Sequence, residues 1–332
     1  MRILIIRCGA LGDLVYATSV IDALRLEYGK GILIDFVCTP GSGTLFKNDP
    51  RVNRVFPLKH KKIPLIFSKQ KRAIVSHSKK EPYDILINFE YGKQFTSLLQ
   101  NIKASKKVGA IIENIVIIDN INRGEAQKEF FKSVVSPVNI EKSFPNVASL
   151  NFSEIVDKYS LTRPYIVIAP SNSHVNKNGI NYRAWENKKW KELIAKLTQE
   201  ITIVIVGAKG EESFFQNIEP YPSNVIDLVG KNNIIELNTI LKHANSVVCT
   251  DSAVGHLSAA LNTPVFVLMG PNNPQTDAPY SSPKNSINII TLDMECSPCY
   301  KTKVMKKCKN NLCMSGISSS KVYETIVSAN VV

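Results

Sequence analysis

The first dozen residues restrict the fold more than any others. Arg2-Ile3-Leu4-Ile5-Ile6-Arg7 is a short, β-branched run without alternation, which is how a strand buried on both faces reads. Cys8-Gly9-Ala10-Leu11-Gly12-Asp13 follows as a turn with two glycines. Leu14, Val15, Ala17, Val20, Ile21 and Leu24 then recur at helical spacing as far as Tyr28. Gly29 and Gly31 close the helix, as C-terminal glycines do, and residues 32–38 read as the next strand. Strand, glycine turn, helix and strand in that order open a doubly wound α/β sheet.

The same grammar runs through the chain. In the first half, strands are expected at residues 52–56, 83–89, 107–110 and 115–118, with helices at 95–102 and 125–135. The pattern weakens over 136–164, where Pro137, Pro145 and Pro164 punctuate it. It then resumes with strands at 165–169, 201–206, 225–228, 246–250 and 265–269, separated by helical stretches at 185–199, 211–218, 234–244 and 254–261. A final helix is expected over 319–331. Alternating strands and helices imply right-handed crossovers. The expected fold is α/β: two Rossmann-like doubly wound parallel-sheet domains, residues 1–150 and 151–332, facing a central cleft. Ligands of such sheets lie beyond the carboxyl ends of the strands, so the turns after Arg7, Ala169, Val206, Thr250 and Met269 are where chemistry belongs.

Composition narrows the partners. The 332 residues are 44% hydrophobic, which excludes disorder and leaves enough chain for a large core. No apolar run reaches the ~18–20 residues of a membrane span. The apolar stretch at the start stops at Arg7, too short for a signal peptide, so the chain reads as cytoplasmic. A formal net charge of +13 favours anionic partners. Between Lys59 and Lys80 lie Lys61, Lys62, Lys69, Lys71, Arg72 and Lys79 with no acid among them, interleaved with Ile63, Leu65, Ile66, Phe67, Ala73, Ile74 and Val75. That stretch reads either as a solvated face or as a surface for anionic headgroups. No helix-turn-helix, zinc finger or RNA-binding aromatic pair is present, so nucleic acid is not an expected partner.

Four groups of residues carry candidate chemistry. Gly9 and Gly12 allow a sharp turn beside Asp13, which stands either as a helix N-cap or as a general base. Thr250-Asp251-Ser252-Ala253-Val254-Gly255-His256 ends a strand and opens a helix, where free N–H groups suit phosphate. Arg183 precedes Trp185 and is placed to meet a diphosphate; both Trp185 and Trp190 suit a core face. Cys296-x2-Cys299-x8-Cys308-x4-Cys313 has the spacing of a tetrahedral structural zinc knuckle, with plain loop cysteines as the alternative. Cys8, Cys38 and Cys249 sit singly in apolar strands and read as small buried hydrophobes.

Taken together, residues 1–13, the Asp251-Ser252-x-x-Gly255-His256-Leu257-Ser258-Ala259-Ala260-Leu261 segment, Met269-Gly270-Pro271 and Cys296-Ser297-Pro298-Cys299 resemble glycosyltransferase family 9, the ADP-heptose:lipopolysaccharide heptosyltransferases. The resemblance covers nearly the whole chain in the same order. It implies a GT-B fold, with the acceptor held by the N-terminal domain and the nucleotide-sugar by the C-terminal one. It also implies transfer with inversion at the anomeric carbon and no essential metal or other cofactor. By the same resemblance Asp13 is the base, with Gly9 and Gly12 on the acceptor side. Ser171, Asn172, Arg183, Glu211 (or Glu212), Asp251, Ser252, Gly255 and His256 then line the donor site. ADP-heptose is the implied donor, and an anionic lipopolysaccharide core or related glycolipid at the inner face of the inner membrane is the acceptor. Arg183 stands where the family carries lysine, Ala253 where it carries glycine and Glu186 where it carries proline. A GT-B sugar-nucleotide epimerase and a non-catalytic basic binding module are the alternatives.

Overall fold

The computed structural model describes residues 1–60, 68–113, 120–135, 138–177 and 179–331. The chain forms two compact units, Met1–Ala148 and Ser149–Val332. The strand expected over 115–118, and Lys61 to Phe67 of the basic stretch, lie outside the described residues.

The first unit is built on five parallel strands: β1 (Arg2–Ile6), β2 (Leu33–Cys38), β3 (Arg54–Pro57), β4 (Tyr83–Asn88) and β5 (Ala104–Gly109), in the order β3-β2-β1-β4-β5. The apolar opening run takes the middle of the sheet, with Ile3 level with Ile34 on one side and Ile85 on the other. Leu4 and Ile6 pack with Leu86, Phe95 and Leu98 in one core cluster. Strand order reverses direction between β1 and β4, which makes that gap the switch point of the sheet.

The helix expected over 14–28 begins earlier and is in fact two helices, Leu11–Ala17 and Ser19–Tyr28. Thr18 interrupts it. Its hydroxyl donates to the Val15 carbonyl at 2.6 Å and accepts the Asn146 N–H at 2.9 Å. Side-chain back-bonding of this kind competes with the helix ladder, and no apolar pattern reveals it.

The second unit carries six parallel strands: β6 (Tyr165–Ala169), β7 (Thr202–Ile205), β8 (Val225–Asp227), β9 (Ser246–Thr250), β10 (Val265–Leu268) and β11 (Ile287–Ile290), ordered β11-β10-β9-β6-β7-β8. Its switch point lies between β6 and β9. The edge strand β11 went unforeseen because Asn288 interrupts a run of only four residues. Trp185 and Trp190 are both core, 1% and 0% exposed, with their rings edge to face. The Trp185 indole N–H donates to the Ile317 carbonyl at 2.9 Å. That bond ties the start of the helix Asn187–Leu197 to the segment preceding the closing helix Ser319–Ser328.

Among the described residues no helix is long and apolar enough to cross a membrane. The basic stretch is less uniform than it reads. In the helix Lys69–Lys80, Lys71 is buried and its ammonium donates to the Ser97 hydroxyl at 2.5 Å, while Ile74 is buried in the core. Lys69, Arg72, Lys79 and Lys80 remain exposed.

Candidate active site

The carboxyl end of the first sheet gathers three charged side chains at its switch point. Arg7 follows β1 directly, Asp13 lies in the first turn of the helix Leu11–Ala17, and Glu90 follows β4. The Arg7 guanidinium donates to Asp13 Oδ1 at 3.2 Å and to the Phe89 carbonyl at 3.2 Å, and stands 3.6 Å from Glu90 Oε1. Glu90 Oε1 also accepts the Cys8 N–H at 2.7 Å.

Asp13 is not the N-cap. The helix starts two residues before it, and its Oδ2 reaches back to accept the Ala10 N–H at 2.9 Å. Gly12 accordingly lies inside the helix rather than in the turn. Gly9 is the residue that the arrangement depends on. A β-carbon there would stand 2.5 Å from Asp13 Oδ2 and 2.6 Å from Asp13 Cβ, closer than atoms approach, so only glycine lets the carboxylate fold over the turn.

The switch point of the second sheet is polar in a different way. Ser171 and Asn172 follow β6, and Asp251 and Ser252 follow β9; the Thr250 hydroxyl donates to the Ser171 carbonyl at 3.4 Å, joining the two turns. Asn172 is 4% exposed; its Oδ1 accepts the His174 N–H at 3.0 Å, but its Nδ2 makes no hydrogen bond. Asn272, beyond the end of β10, is 5% exposed with its Oδ1 equally unmatched. A buried polar atom left without a partner costs roughly 1–3 kcal/mol, so these two amides are shaped for something that brings its own polar atoms.

Arg183 reaches the same place. Its Nε lies 3.5 Å from Asp251 Oδ2, and Nη1 lies 3.5 Å from the Asp251 carbonyl. Ser252 is the N-cap position of the helix Ala253–Ala260, and His256 is half-buried on its first turn.

Two of the expected donor residues also have local structural contacts. A β-carbon on Gly255 would meet Cys249 Sγ at 3.2 Å, Pro279 at 3.3 Å and Val267 at 3.5 Å; Gly255 serves close packing of its helix on β9 and β10. Glu211 turns its carboxylate back onto the Ala208 N–H at 2.9 Å and so closes its own turn after β7. Glu212 is exposed, with a carboxyl held below the usual range by backbone N–H groups and by Lys209. That turn connects to the loop after β6 through the Asn176 side chain, which donates to the Gly210 carbonyl at 2.9 Å.

The structure gives the tetrahedral zinc knuckle no support. Among the described residues, no group of three or more His, Cys, Asp or Glu is arranged to hold a metal ion. Cys296, Cys299, Cys308 and Cys313 instead stand around one cavity of about 370 Å³ shared with Tyr182, Met294 and Leu312. Cys313 is drawn into the core against Gly270, while Cys296 is exposed. Burial together with the other three thiols pushes the Cys313 thiol up to about 11. Cys8, Cys38 and Cys249 are buried and free, as strand hydrophobes, and burial takes the Cys38 thiol up to about 12.

Glu90 and Asn272 escaped the sequence reading. Glu90 was nevertheless findable: it follows the strand that the sheet order sets beside β1, and the switch-point rule points at both strand ends. Asn272 carries no such signal.

Two Rossmann-type parallel sheets, each with polar groups at its switch point, define a GT-B protein. The model of "Glycosyltransferase family 9 (heptosyltransferase)" matches residues 127–309, more than half of the chain. The chain belongs to glycosyltransferase family 9 and is a glycosyltransferase. Lipopolysaccharide heptosyltransferase 3 of Escherichia coli is 22% identical over 289 residues, covering 78% of this chain and 80% of that protein. The glycosyl transferase family 9 structure from Veillonella parvula DSM 2008 superposes with a TM-score of 0.82 at 16% identity, over 98% of this chain and 96% of that one. The E. coli heptosyltransferase WaaC solved with ADP gives 0.74 at 19% identity, over 99% of each chain. Membership replaces the epimerase and the binding-module alternatives.

Proposed function

We propose that the protein transfers heptose from ADP-heptose to a hydroxyl of a lipopolysaccharide core or related anionic glycolipid, with inversion at the anomeric carbon. The first unit holds the acceptor and the second the nucleotide-sugar. The single observation that carries the donor side is the buried Asn172 Nδ2 without a hydrogen bond at the β6–β9 switch point, where Arg183 reaches Asp251. A donor N–H and a guanidinium together are what a pyrophosphate oxygen needs. The relative solved with ADP supports the choice of nucleotide.

Asp13 acts as the base. It is the more open of the two carboxylates on Arg7, with its side chain 32% exposed against 14% for Glu90. Each accepts one backbone N–H, Glu90 from Cys8 and Asp13 from Ala10, so exposure is what separates them. Asp13 takes the proton from the acceptor hydroxyl as that oxygen bonds to the anomeric carbon. The bond from that carbon to the pyrophosphate breaks, and its electron pair leaves with ADP. Arg183, the Asn172 amide and the N–H groups opening the helix Ala253–Ala260 receive the charge that develops on the leaving group. Because Arg183 supplies the cation, this chemistry calls on no metal. The exposed lysines and arginine of the helix Lys69–Lys80 suit an anionic acceptor at the cytoplasmic face of the inner membrane, where the enzyme works as a peripheral protein.

The test is Asp13→Asn assayed for heptose transfer from ADP-heptose to a heptose-deficient lipopolysaccharide acceptor, with ADP binding measured in parallel. Transfer falls by about 10³-fold, within the range of a lost general base, while ADP binds as before. Transfer at the wild-type rate dismisses Asp13. ADP binding unaffected by Asn172→Ala and by Arg183→Ala dismisses the donor site.

A further inference from the structure

The segment Cys296-Ser297-Pro298-Cys299-Tyr300 is fastened at several points. The Ser297 hydroxyl donates to the Gly270 carbonyl at 2.6 Å, and the N–H groups of Cys299 and Tyr300 both donate to the Pro271 carbonyl at 2.8 Å. Three hydrogen bonds thus pin this segment to the turn after β10. What the pinning achieves is to set the half-buried ring of Tyr300 against Arg183, whose guanidinium carbon is 4.4 Å from the ring centroid. The Lys301 ammonium lies 5.2 Å from the same centroid, and the His174 ring meets it edge-on at 6.4 Å.

Arg183 therefore has two neighbours competing for it. A free arginine beside a carboxylate closes into a bidentate pair at about 2.7–2.9 Å. Here Nε stands 3.5 Å from Asp251 Oδ2, is buried, and makes no hydrogen bond. The flat, weakly hydrated guanidinium stacks well on an aromatic face, which an ammonium does less well. The ring thus holds Arg183 short of full pairing with Asp251.

We infer that Tyr300 is a positioning residue for donor binding: its ring holds the Arg183 guanidinium off Asp251 and presents it to the diphosphate of the nucleotide-sugar. The inference rests on the proposed donor role of Arg183. It gives the Cys296–Tyr300 segment a role, namely to deliver one aromatic ring to the donor site. Arg183 and Lys301 on one ring gather positive charge for the second phosphate that a nucleotide-sugar has and AMP lacks. The positive neighbours are also felt by His174 itself, whose imidazolium is disfavoured first by burial and then by Lys177, Arg183 and Lys301.

Calorimetric titration of ADP and AMP into wild type, Tyr300→Phe, Tyr300→Leu, Tyr300→Ala, Arg183→Ala and the Arg183→Ala/Tyr300→Ala double variant tests this. Tyr300→Leu and Tyr300→Ala lose about five- to tenfold in ADP affinity, the scale of one cation–π contact. Tyr300→Phe binds as wild type, because the ring and not the hydroxyl acts. AMP affinity changes less than twofold in all three. In the Arg183→Ala background, Tyr300→Ala adds less than twofold. Leucine keeps the bulk of the side chain, so wild-type ADP affinity in Tyr300→Leu overturns the inference even where the alanine variant fails to fold. An equal loss for AMP, or a full loss on top of Arg183→Ala, also overturns it. Unchanged ADP affinity in Arg183→Ala itself removes the donor role of Arg183, and the inference with it.

Discussion

The first sheet carries an arginine at each end of its central strand, and each bridges two carboxylates. At the amino end, Arg2 pairs with Asp35 at 3.5 Å and Glu81 at 2.6 Å. At the carboxyl end, Arg7 pairs with Asp13 at 3.2 Å and Glu90 at 3.6 Å. The charges match; the surroundings do not. Asp35 is 1% exposed and saturated, accepting from the Tyr83 hydroxyl at 2.7 Å and the Asn53 amide at 2.7 Å. Arg2 also lies over the Tyr83 ring and against His77. Asp13 keeps a third of its surface open, and that exposure is the difference, since the Nε of Arg2 and of Arg7 alike make no hydrogen bond. A closed network holds strands in place, whereas an open one has capacity left for a substrate. The same side chains close one end of the strand and, on the proposed function, serve chemistry at the other, which lies at the switch point.

The contrast breaks most sharply at its two aspartates. Asp13→Asn removes about 10³-fold of transfer activity, equivalent to roughly 4 kcal/mol at the transition state, and leaves the urea midpoint near that of wild type. Asp35→Ala does the reverse: it strips Arg2, Tyr83 and Asn53 of their shared acceptor and lowers stability by roughly 2–4 kcal/mol, while the folded fraction transfers at the normal rate. Equal losses of stability in both variants would mean that the open cluster is as structural as the closed one.

A smaller effect isolates one bond of the closed network. Tyr83→Phe deletes the hydrogen bond to Asp35 while keeping the ring under Arg2, at a cost of about 1–2 kcal/mol in the denaturation free energy. The smallest effect is in pH. Burial, then Arg54, lowers the affinity of His77 for its proton from the ordinary 6.5, outweighing Glu81 and Asp35. The unfolded chain thus binds this proton more readily than the folded one, so stability rises with pH below about 6.5 and levels off above it. Comparing wild type with His77→Gln by urea denaturation from pH 5 to 8 shows a shallower dependence in the variant.

Much of this was legible in the chain. The opening run Arg2 to Asp13 announced its sheet because a doubly buried strand followed by a glycine turn has few other readings. The second sheet followed from the same alternation, up to Thr250 and Met269. What escaped depends on contacts between distant segments. Glu90 stands 82 residues from the Cys8 amide that it binds, and the back-bond that splits the helix at Thr18 is a hydroxyl choice invisible to periodicity. The cysteine spacing was hard to read for a related reason. Spacing sets which thiols can meet; the burial of Cys313 against Gly270 sets how they stand around their shared cavity.

Gly9 carries a lesson for anyone wishing to redirect this enzyme. The acceptor side invites substitution, and the turn after β1 looks like tolerant loop. Yet a single methyl there would strike Asp13 at 2.5 Å, so a randomised library spanning that turn would eliminate its own nucleophile activation before any new specificity had been sampled. Diversity belongs on the surrounding walls, with the ninth position held as the one place where nothing may be added.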